Sequence, residues 1–177
     1  MNKALADNYI SEYRQIHEKN PTYGSGPKEG AIKKYSKWCE DISGINRILD
    51  YGCGNSKLVD GILPDKNLTR ERWDPAIPEY STRPTPWKFD LVFCTDVMEH
   101  VPEENVIPTL VDIRNASKNA LIIPHLGRAS QHLSNGDNSH VTQKPVEWWL
   151  EKVIEAGFNT AREMPSSNPK KAYIITW

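Results

Sequence analysis

RILDYGCGNSKLVDGIL, residues Arg47 to Leu63, sets the architecture of the chain. An apolar, strand-like run ends at Asp50, crosses Gly52 and Gly54, and passes into a helical pattern. Two glycines one residue apart let the backbone turn tightly, and they admit a ligand to the main chain where a side chain would block it. The stretch therefore predicts a strand, a ligand-binding turn and a helix, with a carboxylate at the mouth of the turn.

Outward from this unit the same alternation continues. Before it, Leu5, Tyr9, Tyr13 and Ile16 recur at helical spacing between about Lys3 and Lys19; NPTYGSGP interrupts, and Lys28 to about Ile42 resumes, with Pro27 suited to a first turn. After it come a strand ending near Trp73 and Asp74, a proline-rich connection, the strand FDLVFC (Phe89 to Cys94) and a helix from about Pro102 to Asn115. NALIIP (Asn119 to Pro124) is a further strand, followed by a long polar loop, a helix over Pro145 to Ala156, and closing strands near Phe158 to Met164 and Ala172 to Trp177. Strands alternating with helices predict a mostly parallel sheet covered on both faces. Residues 1–44 read as a helical preface and 45–177 as the α/β body of a single domain, without repeats or low-complexity tracts.

Composition sets the outer limits. A chain of 177 residues with 38% apolar and 25% charged residues has enough material for one buried core. A net charge of -1 and a pI near 6.5 give no global attraction to polyanions or to an acidic membrane surface. No apolar run is long enough to cross a bilayer and no signal-peptide core precedes the first helix, so a cytoplasmic location is expected. Cys39, Cys53 and Cys94 form no CxxC pair and read as reduced thiols.

In an open sheet of this kind ligands sit outside the carboxyl ends of the strands. After the first strand stands Asp50-Tyr51-Gly52-Cys53-Gly54, and Lys57 occupies the position where a dinucleotide fingerprint has its third glycine. The second strand ends at Asp74, 24 residues beyond Asp50, about where an acid accepts hydrogen bonds from ribose hydroxyls. Taken singly, the GxG could be a structural turn and Asp74 a cap. Their common register favours a nucleoside-bearing ligand.

ILDYGCGNS, then WDPA, then FDLVFCTDVMEHV resembles the class I S-adenosylmethionine-dependent methyltransferases, whose small bacterial and phage members share an LDxGCG turn and a DVxEHV stretch. The resemblance covers about Arg47 to Pro124. It implies a Rossmann-like, doubly wound, mostly parallel sheet with a C-terminal antiparallel strand, and S-adenosylmethionine as cofactor. It places Gly52, Cys53 and Gly54 at the methionine portion, Asp74 and Pro75 at the ribose, and Thr95, Asp96 and Val97 beside the sulfonium. Asp50 suits a ligand that carries an ammonium and a sulfonium, and would repel a pyrophosphate. Only 14 residues, Pro75 to Lys88, stand where the family has a third strand and helix, so a truncation around the third strand is expected and the adenine contact falls near Ile77. Tyr23, Gly24 and Gly26 could close over the cofactor as a lid, or could simply connect two helices.

Methyl transfer from a sulfonium chiefly requires alignment of the acceptor, and a base is needed only where the acceptor must lose a proton. Glu99, His100 and His140 are the expected catalytic residues, chosen from a set that also holds His125 and His132. Each could instead be structural: Glu99 and His100 as anchors of the turn after the strand, His140 as an anchor of its loop. That loop, from His125 to about Gln143, is long enough to imply function, and acceptor recognition is assigned to it. Its LSNGDNSH and the following EWW resemble a pattern of small phage-type methyltransferases, with Asp137 in place of an arginine; at least one of Trp148 and Trp149 should pack in the core. His125, His132 and His140, spaced by seven and eight, share no regular face and lack a supporting cysteine or carboxylate pattern, so no metal is assigned. The segment Asp90 to Asp112 carries six acids and no Lys or Arg, which reads as a solvated helix face whose end nearest the strand also favours a cation.

The leading function is methyl transfer to a small-molecule or glycan-type acceptor. A nucleic-acid methyltransferase is disfavoured: CTDV stands where exocyclic-amine enzymes carry D/N-PP-Y/F, Asn20 to Tyr23 is only a near match ahead of the first strand, and no Pro-Cys pair occurs. Cofactor binding without turnover is a second alternative. A nicotinamide oxidoreductase is opposed by Asp50 and Lys57. No membrane partner is expected, and the oligomeric state is open.

Overall fold

The computed structural model describes residues 3–165 and 168–177. Its sheet is built from β1 (Arg47–Tyr51), β2 (Thr69–Trp73), β3 (Leu91–Thr95), β4 (Ala120–Ile123), β5 (Arg162–Glu163) and β6 (Ile174–Ile175), in the spatial order β2-β1-β3-β4-β6-β5. The first four strands are parallel, and β6 runs antiparallel between β4 and β5. The expected Rossmann-like sheet is therefore present. Its closing strands are only two residues each, shorter than the expected Phe158 to Met164 and Ala172 to Trp177.

Apart from Arg47 and Asp50 of β1 and Thr95 of β3, the central strands are apolar because helices cover both faces. Side-chain alternation sorts them. Leu49, Tyr51, Val92, Cys94, Ala120 and Ile122 pack with α4 (Glu103–Ala116) and α5 (Val146–Glu155), where Leu110, Ile113, Trp149 and Val153 are fully buried. Ile48, Leu91, Phe93, Leu121 and Ile123 face α2 (Glu29–Cys39) and α3 (Leu58–Gly61), meeting Tyr35, Cys39, Leu58, Val59 and Ile62. β2, TRERW, is only partly buried and lies at the sheet edge, where charge discourages further strand pairing. It is an edge because Pro75 to Lys88 form no strand, only a single 3-10 turn at Pro78–Tyr80, which is the expected truncation.

α3 is shorter than its sequence pattern, ending at Gly61 ahead of Leu63, which has φ +46°. Its open carbonyls are taken by Arg70 of β2, whose guanidinium donates to Val59, Ile62 and Leu63 and also to Leu68 and Lys66. α1 (Lys3–Lys19) belongs to neither core cluster. It crosses the carboxyl ends of the strands, where Glu12 accepts from Ser134, Arg14 donates to the Pro75 carbonyl, and Tyr13 reaches Ser139. No described helix is long and apolar enough to cross a membrane.

Candidate active site

Strand register brings Tyr51, Trp73 and Thr95 to one end of the sheet, and the loops leaving them surround a cavity of about 1000 Å3. The turn after β1 forms its floor. Gly52 and Gly54 have φ +71° and +50°, and a Cβ on Gly52 would stand 2.6 Å from Val97 Cγ2. The amides of Gly52 and Cys53 donate to the Trp73 carbonyl at 2.8 and 3.2 Å, which ties the turn to the end of β2. Asp74 strengthens this tie: one carboxylate oxygen accepts from the Gly54 amide and the other from the Ala76 amide, both at 2.8 Å. Pro75 and Ala76 line the cavity, whereas Ile77 is buried and is not part of the lining.

Asp50 is 1% exposed, and its Oδ2 has no hydrogen-bond partner among the described residues. Burial pushes its carboxyl up to about 7, against the opposing influence of the Ser56 hydroxyl and the Arg72 charge. A carboxyl so placed is half-neutral near pH 7 and is readily ionised by a cation.

The NPTYGSG stretch lies directly on the glycine turn. Asn55 donates its amide to the Gly24 carbonyl at 3.0 Å, and its side chain donates to the Pro21 and Tyr23 carbonyls at 3.2 and 3.1 Å. A Cβ on Gly26 would collide with the Ser56 hydroxyl, so the approach requires glycine. Tyr23 packs edge-on against His17 of α1, and both line the cavity.

At the other end stand the residues after β3. Thr95, Asp96 and Val97 line the cavity, and Asp96 adopts φ +56°, a conformation that short polar residues tolerate. Its carboxylate pairs with Lys171 Nζ at 2.5 Å. Lys171 lies 75 residues away, ahead of β6, and no motif singled it out. Next, the 3-10 turn Met98–His100 buries Glu99 completely; neither of its carboxylate oxygens has a hydrogen-bond partner among the described residues. Burial, then the nearby charge of Asp96, holds that carboxyl well above the usual range.

His100 Nδ1 lies 3.0 Å from the Ser139 carbonyl, to which the Tyr13 hydroxyl also donates at 2.8 Å. Burial, reinforced by His140, pushes the His100 imidazole down to about 3. His140 Nδ1 lies 2.5 Å from the Gly127 carbonyl, and its Nε2 is 3.9 Å from Glu99 Oε1. Burial lowers its basicity as well. The rings of His100 and His140 meet edge to face at 4.8 Å.

The loop from His125 to Gln143 is stitched rather than open. Asn138 bonds both ways with the Ala129 main chain and caps the His140 amide, and Thr142 bonds to the Glu99 and Val101 carbonyls. His125 borders the cavity, its Nδ1 accepting from the Gly127 amide, but His132 is exposed and lines a separate hollow. Of the three histidines weighed together, only His132 is set apart: the His125 ring lies 4.8 Å from that of His140, which is also brought to Glu99 and His100.

No family model matches the sequence, and comparison with curated proteins finds no match. Solved structures do match. A 1,6-didemethyltoxoflavin-N1-methyltransferase from Burkholderia thailandensis, crystallised with 1,6-didemethyltoxoflavin and S-adenosylhomocysteine, aligns over 99% of this chain and 88% of its own, with TM-score 0.67 and 11% identity. A SAM-dependent methyltransferase from Archaeoglobus fulgidus aligns over 92% and 98% respectively, with TM-score 0.55 and 15% identity. The mitomycin 7-O-methyltransferase MmcR gives TM-score 0.57 at 14% identity over 83% of this chain; the chain spans only about half (54%) of that protein's length. The chain has the fold of the class I S-adenosylmethionine-dependent methyltransferases.

Proposed function

We propose that the protein is an S-adenosylmethionine-dependent methyltransferase acting on a small-molecule or glycan-type acceptor. Asp50 carries the reading. It is a buried carboxylate with an unpartnered oxygen, set at the end of β1 above a turn whose first glycine cannot take a Cβ. Such a group is stabilised by a nearby cation, and the methionine end of S-adenosylmethionine bears an ammonium close to a sulfonium. When bound, the cofactor supplies a methyl group that its positive sulfur has already activated for displacement.

The chain's residues divide the remaining work. Gly52, Cys53 and Gly54 receive the methionine portion along the main chain. Asp74 and Pro75 serve the ribose, since each Asp74 oxygen keeps an acceptor lone pair beyond the amide it already holds. Thr95, Asp96 and Val97 border the reacting end. Tyr23, Gly24 and His17 cover the site and exclude water, while His140, His100 and Glu99 stand on the acceptor side. Holding two reactants in line in this way can lower a barrier by about 7 to 11 kcal/mol. A concave site of about 1000 Å3 suits a cofactor with a small acceptor, and a net charge of -1 gives no global attraction to a polyanion.

Calorimetric titration with S-adenosylmethionine, S-adenosylhomocysteine and NAD tests the cofactor. The first two should bind and the third should not. Asp74→Ala should weaken binding by about 1 to 3 kcal/mol, the scale for leaving hydroxyl donors unpaired; unchanged affinity would remove Asp74 from the site. Label from the cofactor methyl, offered with phenols, saccharides and duplex or single-stranded DNA, tests the acceptor, and transfer to DNA alone would overturn the small-molecule assignment.

A further inference from the structure

We propose that Glu99, His100 and His140 hold a divalent transition-metal ion, of the class of Zn2+ or Co2+, at the acceptor end of the cavity. One donor atom from each of these three residues lies within 4.8 Å of the other two. The geometry also fixes which nitrogen of His140 is free. A carbonyl oxygen only accepts, so Nδ1 of His140, beside the Gly127 carbonyl, carries the ring proton and Nε2 keeps the lone pair. His100 Nδ1 lies 3.0 Å from both the Ser139 carbonyl and the Tyr13 hydroxyl; metal binding through Nε2 requires the tautomer in which Nδ1 donates to that carbonyl. An imidazole whose Nδ1–H is held by a main-chain carbonyl is the usual second shell of a metal-bound histidine.

Glu99 is the second, independent observation. Its side chain is 0% exposed and neither oxygen has a hydrogen-bond partner among the described residues, although His140 Nε2 is 3.9 Å away. A buried carboxyl whose only nearby donors among the described residues are the main-chain N–H groups of Glu99 and His125 keeps lone pairs for a cation. Tetrahedral bonds of about 2.1 Å separate ligand atoms by about 3.4 Å, so modest side-chain adjustment closes the present arrangement on an ion. Two imidazoles with one carboxylate suit Zn2+, Co2+ or Fe2+ better than Mg2+ or Ca2+, which prefer oxygen. Asp96 stays outside the set because Lys171 holds it. Three protein ligands leave a position open toward the cavity for water or an acceptor oxygen. That last role rests on the methyltransferase reading; the binding of the ion does not.

Tag-free protein, stripped with EDTA and dialysed, is titrated with Zn2+ by calorimetry and with Co2+ by visible absorption. One equivalent should bind, and Co2+ should develop a d–d band that saturates at that ratio. Glu99→Gln and His140→Ala should each weaken Zn2+ binding by at least about 10- to 100-fold, the scale known even for outer-shell losses. His132→Ala, at the exposed histidine outside the cavity, should leave it intact, and excess Mg2+ should not displace Co2+. Absence of a saturable single equivalent in wild-type protein overturns the site without any variant, as does one equivalent that survives both substitutions or yields to Mg2+. S-adenosylhomocysteine affinity, measured on the same samples, separates the two readings: its loss with Zn2+ binding intact would overturn the methyltransferase, and its retention without Zn2+ binding would overturn the metal site.

Discussion

Asp50 connects burial to pH. Its carboxyl, pushed up to about 7, lies above the unfolded value of about 3.9, so the folded chain binds a proton more tightly and Asp50 subtracts stability as pH rises from about 4 to 7. A cationic ligand reverses the preference, because it favours the ionised form. S-adenosylmethionine affinity should therefore fall as pH drops below about 7, by up to tenfold per unit, and Asp50→Asn should remove that slope; calorimetry in buffers of different ionisation enthalpy also reads the released proton. Gly52 makes a different demand. At φ +71° with Val97 in the way, Gly52→Ala should cost about 1 to 3 kcal/mol in urea unfolding and abolish cofactor binding. Both residues were legible in the sequence, since a strand, an acid and a GxG identify themselves locally. Lys171 and the unpartnered state of Glu99 were not, because they depend on segments distant in the chain.

Elements show the same division. Trp148 and Trp149 are adjacent in sequence, yet Trp149 is fully buried beside Val153, whereas Trp148 is only partly buried, with Lys144 and Lys152 over its ring. Trp149→Ala should cost about 3 to 5 kcal/mol by denaturant unfolding and Trp148→Ala clearly less. The 21–26 turn hangs largely on Asn55, three of whose bonds reach its main chain. If that turn is a lid, Asn55→Ala should weaken S-adenosylhomocysteine binding severalfold with little change in Tm. A plain connector would give the reverse, lowering Tm and leaving affinity alone.

For the whole molecule the two readings of the site become one measurable quantity. A ligand bound only by the folded state at about 100 times its Kd adds about 2.7 kcal/mol. At about 2 to 4 °C per kcal/mol for a domain of this size, saturating S-adenosylhomocysteine should raise Tm by about 5 to 10 °C. No shift would contradict a cofactor site between the N-terminal segment and the sheet.

The sequence alone determined the strand–turn–helix at Arg47 to Leu63 and the parallel α/β architecture, while the missing third strand was implied by the family resemblance. The first two follow from hydrophobic period, glycine placement and segment length, which are properties of neighbouring residues. Tertiary structure decided how short β5 and β6 are, that Arg70 closes the end of α3, that Asp74 already holds two main-chain amides, and that Lys171 meets Asp96. It also decided which histidines meet. Spacing put His125, His132 and His140 on no common face, whereas the fold places His140 against His125, Glu99 and His100, because the turn after β3 and the end of a loop some 40 residues later are both drawn to the carboxyl edge of the same sheet.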